Sequence, residues 1–184
     1  MRPTDTVTVE AVSGSETAEV EDAFRLVYAE VFAERPYNET PDDVAGAFRR
    51  FRSQTRKATF RGALARTTEG EPVGMAYGYR LAANTGWWDH LTVPVPQKTR
   101  REDGQRTFGL MEMAVRTGWR RQGVARRMHD ALLSGGAEER ALLNVHPQSI
   151  AAQTAYRAWG YRKVGEVRPW AGAELHDVML LDLR

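Results

Sequence analysis

The stretch that most constrains the fold is Phe108–Val115, the most apolar strand candidate, which runs through Gly118-Trp119-Arg120-Arg121-Gln122-Gly123 into a segment with Ala125, Met128 and Leu132 at helical spacing. A strand that passes through a glycine turn straight into a helix calls for layered α/β packing. It also creates a chemical opportunity, because a helix N-terminus offers unpaired N–H groups and a positive dipole end to an anion. Gly123 and Ala125 keep the turn free of bulk, and Arg120, Arg121 and Arg126 add charge beside it.

The spacing Gly118-x-x-x-x-Gly123 resembles a nucleotide-triphosphate loop only superficially. That loop needs lysine and then serine or threonine directly after the second glycine, where this chain has Val124 and Ala125. No G-x-G-x-x-G occurs in the segment, so a dinucleotide fingerprint is missing as well.

The rest of the chain supplies a sheet around this strand. Val7, Val9 and Ala11 alternate as a first strand, and Val20, Ala23, Phe24, Val27 and Val31 repeat as a helix up to Glu34-Arg35-Pro36. Thr40-Pro41-Asp42-Asp43 reads as an N-cap, a proline at the first helical position and acids in the first turn, with Val44, Ala47, Phe48 and Phe51 as the apolar face behind it. Residues 59–67 and 73–81 are two strands joined at Glu69-Gly70-Glu71-Pro72. In the second, Val73, Met75, Tyr77, Tyr79 and Leu81 share one face while Gly74, Ala76 and Gly78 line the other. Residues 82–106 have no periodicity and read as a long mobile loop carrying Trp87-Trp88-Asp89-His90, either a substrate cover or a cap on an edge of the core. A strand at 141–145, a helix from Ser149 as N-cap to the stop at Gly160, and strands at 161–167 and 177–183 complete the order β-α-α-β-β-β-α-β-α-β-β. The expectation is one α/β domain over residues 1–184, with a mixed central sheet and helices on both faces.

Composition excludes several chemistries. The 184 residues contain no cysteine, so disulfides, a thiol nucleophile and thiolate metal sites are out. Four scattered histidines give no metal motif, and no metal is expected. Neither a signal peptide nor a membrane-length apolar run is visible, which points to a cytoplasmic protein with no membrane partner. Net charge is +2, too little to favour a nucleic-acid partner despite the clusters Arg49-Arg50-Phe51-Arg52, Arg100-Arg101, Arg120-Arg121 and Arg126-Arg127.

The turn Arg120-x-x-Gly123-x-Ala125, followed by Ser149-x-x-Ala152-x-x-x-Tyr156-x-x-x-Gly160-Tyr161, resembles the two signature motifs of the GNAT superfamily of acyl-CoA-dependent N-acetyltransferases. The likeness covers roughly residues 107–167. It implies acetyl-CoA as co-substrate and an amine-bearing acceptor, small molecule or peptide, acting in a monomer or homodimer. Backbone groups of Met113, Ala114 and Val115 would align the pantetheine arm. The turn Arg120, Arg121, Gln122, Gly123, Val124, Ala125 and Arg126 would hold the pyrophosphate, and Tyr156 would be the general acid toward the CoA sulfur. Ser149, counted by the same resemblance among the cofactor-binding residues, stands where the family commonly has asparagine, so it lacks that amide but can cap the helix.

An acceptor ammonium must lose a proton before it can attack. Glu112, set among Leu110, Met111, Met113 and Ala114, is the candidate base, the alternative being a structural carboxylate bonded to arginine or backbone. Tyr156 is alternatively a core aromatic, and His146 is a second, more ordinary candidate base. By family analogy Tyr37 and Asn38 at the junction of the first two helices, with Trp87, Trp88 and Asp89, form the acceptor side, where carboxylates would suit a cationic amine. The rival reading is a catalytically silent CoA-binding sensor or scaffold of the same fold.

Overall fold

The computed structural model describes residues 6–184. Its elements are β1 (Thr8–Ser13), α1 (Thr17–Phe32), α2 (Pro41–Gln54), β2 (Arg61–Arg66), β3 (Pro72–Arg80), α3 (Gln97–Arg100), β4 (Thr107–Val115), α4 (Val124–Leu133), β5 (Arg140–Val145), α5 (Ile150–Ala158), β6 (Arg162–Val167) and β7 (His176–Asp182), with a 3₁₀ turn at Thr117–Trp119. The strands are ordered β1-β2-β3-β4-β5-β7-β6 in one seven-stranded sheet. The expected order of strands and long helices is present. The additions are α3 and the 3₁₀ turn, both too short to leave a periodic signal.

The chain separates into two compact units, one holding the residues up to Tyr79 with Glu112–Gly136, the other Arg80–Met111 with Ala137–Arg184. In the first, β1, β2 and β3 pair antiparallel, with Ala65 opposite Gly74 and Gly62 opposite Tyr77. Positions 74 and 77 differ by an odd number, so these two pairs face opposite sides of the sheet. On the Tyr77 side, α1 and α2 supply aromatics: the Phe51 ring lies 4.9 Å from Tyr77 and 5.4 Å from Phe24. A Cβ built on Gly62 would stand 3.4 Å from Phe24 Cζ. On the Gly74 side sits α4, whose Met128 would be 3.0 Å from a Cβ at Gly74. Glycine and alanine on one face of β3 therefore let α4 approach the sheet, and helices cover both faces here. The entry to α2 is a capping box: Thr40 Oγ1 accepts the Asp43 N–H, and the Asp43 carboxylate accepts the Thr40 N–H at 2.8 Å.

In the second unit β4 begins parallel to β5, with Thr107, Phe108 and Gly109 opposite Arg140, Ala141 and Leu142. β5, β7 and β6 are antiparallel neighbours. Leu81, Trp88, Val95, Leu142, Val167, Val178 and Leu180 form the core of this unit, with Trp87 packed against it. Trp88 is thus a core cap, which decides between the two readings of the Trp87-Trp88 pair for that residue. The segment 82–106 is fastened further by an ion pair whose side chains are almost fully buried: Arg140 Nη2 meets Glu102 Oε1 at 2.7 Å, Arg140 Nε donates to Thr107 Oγ1, and Trp88 Nε1 donates to Glu102.

Breaking a buried pair from one side leaves a charge without compensation. Glu102→Ala should therefore cost about 3–5 kcal/mol in denaturant unfolding, and the double variant Glu102→Leu/Arg140→Met should recover most of that loss. A loss below about 1 kcal/mol would show that this pair does not hold the segment.

Candidate active site

The first unit carries the turn between β4 and α4. Arg116 leaves β4 and is clamped, its Nε donating to Glu30 at 2.8 Å and its Nη1 to Glu71 at 2.6 Å, with the guanidinium 5.1 Å from the Trp119 ring centre. Arg120 donates through Nε to the Val115 carbonyl and through Nη2 to Glu34, which also accepts the Thr117 hydroxyl. Arg120 is accordingly a brace for the turn, its charge already matched by Glu34. Glu30, Glu34 and Arg116 are the part of this arrangement that sequence reasoning missed, since the partners lie more than forty positions apart and share no motif.

Beyond the brace, Arg121 has φ 62° and Gly123 has φ 77°. Gly123 is the N-cap of α4, with no side-chain bond closing the helix. The first N–H of α4 to bond backward to the turn is that of Arg127, to the Gly123 carbonyl at 3.0 Å, so the amides of Val124 and Ala125 have no intrahelical acceptor. A Cβ placed on Gly123 would meet nothing within 4 Å, and Arg121, Gln122 and Gly123 are exposed. Successive amides in left-handed turns make anion-binding concavities, and the Arg121 guanidinium has no partner among the described residues. A diphosphate fits this turn: backbone donors uncovered by side chains, a positive helix end, and one unengaged guanidinium. Arg126 is drawn along the helix toward Asp130, 3.1 Å away.

Glu112, Met113, Ala114 and Val115 close β4 in the same unit. Ala114 and Val115 are buried, Met113 is half-buried, and the Val115 carbonyl is taken by Arg120. The Glu112 carboxylate has no hydrogen-bond partner among the described residues. Its proton affinity is raised from the ordinary 4.5 to about 8, by desolvation first and the charge of Glu39 second, against the pull of Arg50. The alternative of an arginine-bonded structural carboxylate finds no bond in the structure. Tyr28 and Tyr77 are held neutral well above the usual phenol value, by burial first and by the Glu112 charge second.

In the second unit Tyr156 lies on α5, buried, with its ring 5.5 Å from both Trp159 and Tyr161. Ser149 occupies the N-cap through its carbonyl, which accepts the Gln153 N–H at 3.0 Å. The capping hydroxyl expected there is corrected: no side-chain cap bond forms, because φ −80° and ψ 71° depart from the extended geometry that aims an N-cap oxygen at the first turn. His146 is engaged at both ring nitrogens, by the Gln148 N–H at Nδ1 and by Glu174 at Nε2, which suits a structural role. Of the residues expected on the acceptor side, Tyr37 packs 4.7 Å from Phe32, and Asn38 is exposed with φ 49°. No group of three or more His, Asp or Glu side chains among the described residues is arranged to hold a metal, and no helix among them is long and apolar enough to cross a membrane.

Residues 99–180 match the model of the acetyltransferase (GNAT) domain. The GNAT resemblance therefore holds. The fold agrees: a Pyrococcus horikoshii OT3 protein superposes with TM-score 0.68 at 15% identity, covering 97% of this chain and 99% of that one. The Escherichia coli ribosomal-protein-S18-alanine N-acetyltransferase gives 0.63 at 16%, covering 97% and 94%. An aminoglycoside N-acetyltransferase, AAC(6')-Iy, solved in complex with CoA, gives 0.57 at 13%, covering 89% and 93%. No curated protein matches the chain.

The raised Glu112 carboxyl makes a prediction about stability. The folded state retains this proton up to about pH 8, whereas an unfolded glutamate releases it near 4.5, so Glu112 lowers stability progressively as pH rises through that window. Glu112→Gln should gain Tm relative to wild type as pH goes from 5 to 8, with the difference level above pH 9. A pH-independent difference would contradict a carboxyl whose proton affinity rises on folding.

Proposed function

We propose that the chain is one acetyltransferase domain that moves an acetyl group from acetyl-CoA directly to an amine. The observation that supports this best is the turn at Arg121–Ala125, a diphosphate-shaped set of backbone donors, in a chain of acetyltransferase fold. Acetyl-CoA supplies the activated acetyl group as a thioester.

The residues of the chain do the rest. Amides of the turn from Arg121 to Arg126 and the Arg121 guanidinium hold the negative charge of the diphosphate, while Arg120 keeps the turn rigid through Glu34 and Val115. Backbone groups of Met113, Ala114 and Val115 align the arm, and the family motif assigns Ser149 to the same cofactor. Glu112, poised near the working pH, takes a proton from the incoming amine. Tyr156 gives its phenolic proton to the departing sulfur. No covalent bond to the protein is needed.

Release of free coenzyme A, followed with a thiol reagent against a panel of amines, tests the reading. Wild type should turn over at least one amine. Tyr156→Phe should lose about 10²–10⁴-fold in kcat with acetyl-CoA affinity unchanged. Binding of acetyl-CoA with no transfer to any amine, and no difference in Tyr156→Phe, would favour the silent sensor.

A further inference from the structure

Within the first unit, one residue ties the turn before α4 to a second place. Glu34 follows α1 and reaches in two directions. Its carboxylate meets the turn, Oε1 accepting the Thr117 hydroxyl at 2.8 Å and Oε2 accepting Arg120 Nη2 at 3.1 Å. Its main-chain carbonyl faces the segment between α1 and α2, where it accepts the N–H groups of Tyr37 and Asn38, both at 3.0 Å. Two segments more than eighty positions apart in sequence therefore meet at one residue.

Both ends are built to hold Glu34 in one place. Arg120 is fixed independently, because its Nε donates to the Val115 carbonyl at 2.8 Å. One helical turn before Glu34, Glu30 accepts Arg116 Nε at 2.8 Å, so two acids four positions apart meet two arginines four positions apart. At the other end the Phe32 carbonyl accepts the Glu39 N–H at 2.8 Å, and the Tyr37 ring packs 4.7 Å from Phe32. Asn38 is exposed at φ 49°, a left-handed conformation that a non-glycine residue keeps when the bonds around it impose it. The Arg120 and Glu34 side chains are 37% and 39% exposed, and an ion pair open to water adds little to stability. Its effect is on where the carboxylate sits.

We propose that Glu34 is a positioning residue: a diphosphate on the turn fixes Thr117 and Arg120, these fix the Glu34 carboxylate, and the Glu34 carbonyl then holds Tyr37 and Asn38 in place for the acceptor. This rests on the acetyltransferase reading. A segment already ordered by the first ligand costs the second less to bind. Linkage makes the effect mutual, so an acceptor resting on Tyr37 and Asn38 tightens the cofactor in turn.

The test reads amide hydrogen exchange at Tyr37 and Asn38 by NMR in the full chain, with and without saturating coenzyme A. Wild type should gain about fivefold or more in protection at both amides. Glu34→Ala keeps the carbonyl but loses the carboxylate, and its two amides should exchange equally fast with and without coenzyme A. Glu34→Gln, which retains an acceptor for Thr117 and Arg120, should recover part of the response. Thr117→Val loosens the same contact without altering α1 and should weaken the response, which keeps the test open if Glu34→Ala does not fold. Glu30→Ala breaks the neighbouring pair and should respond as wild type does. For an amine that wild type acetylates, Glu34→Ala should raise KM about fivefold or more at saturating acetyl-CoA, with kcat nearly constant. Unchanged protection in wild type, a full response in Glu34→Ala or Thr117→Val, or an equal loss in Glu30→Ala overturns the inference. Failure of wild type to bind coenzyme A overturns the acetyltransferase reading itself.

Discussion

Everything around the candidate site depends on the asymmetry of β3. Tyr77 on one face and Gly74 on the other set two different packing distances within a single strand. The glycine face lets Met128, and with it α4, come down onto the sheet, which fixes where the N-terminus of α4 begins. The aromatic face builds the apolar wall of Phe24, Phe48, Phe51 and Tyr77, and Tyr77 feels the Glu112 charge. One alternation of small and large residues thereby sets both a helix end that attracts anions and an aromatic wall on the opposite face.

The arginines divide into two groups by what they touch. Arg116 and Arg120 are consumed by Glu30, Glu71 and Glu34, and each guanidinium bridges more than one acceptor, which stiffens the backbone entering the turn. Arg121, exposed and at a left-handed φ, has no ion pair among the described residues. A row of cations in sequence is therefore a brace followed by an unengaged guanidinium, and only the backbone conformation separates the two. The same logic applies to the acids: Glu34 is matched by Arg120 and Thr117, whereas Glu39 has one oxygen bonded and one not.

Local periodicity made most of the fold legible. The α2 entry at Thr40-Pro41-Asp42-Asp43 was readable because capping chemistry is contained within four residues, and the two faces of β3 because the strand period is two. The Arg120–Ala125 turn was legible for the same reason. What the sequence concealed is long-range. Glu34 and Arg120 are eighty-six positions apart, Glu102 and Arg140 thirty-eight, and no spacing rule predicts either pair. Ser149 read as a capping serine because residue type is visible and ψ is not. Glu39 stood next to the expected Tyr37 and Asn38 but carried no motif; its unbonded oxygen emerges only once the packing of Tyr28 is known. Trp88 looked equally like a lid and a core residue until its neighbours Leu142 and Val178 were placed.

The central claim is that the turn ending at Gly123 binds the cofactor diphosphate, and calorimetric titration of acetyl-CoA into wild type and Gly123→Glu tests it most directly. The space at Gly123 is open, so the added carboxylate blocks the site by charge and bulk, and matching far-UV spectra and Tm values confirm that the fold survives. Micromolar binding by wild type that is lost in Gly123→Glu is the predicted result; no binding by wild type, or equal binding by both proteins, would contradict the account.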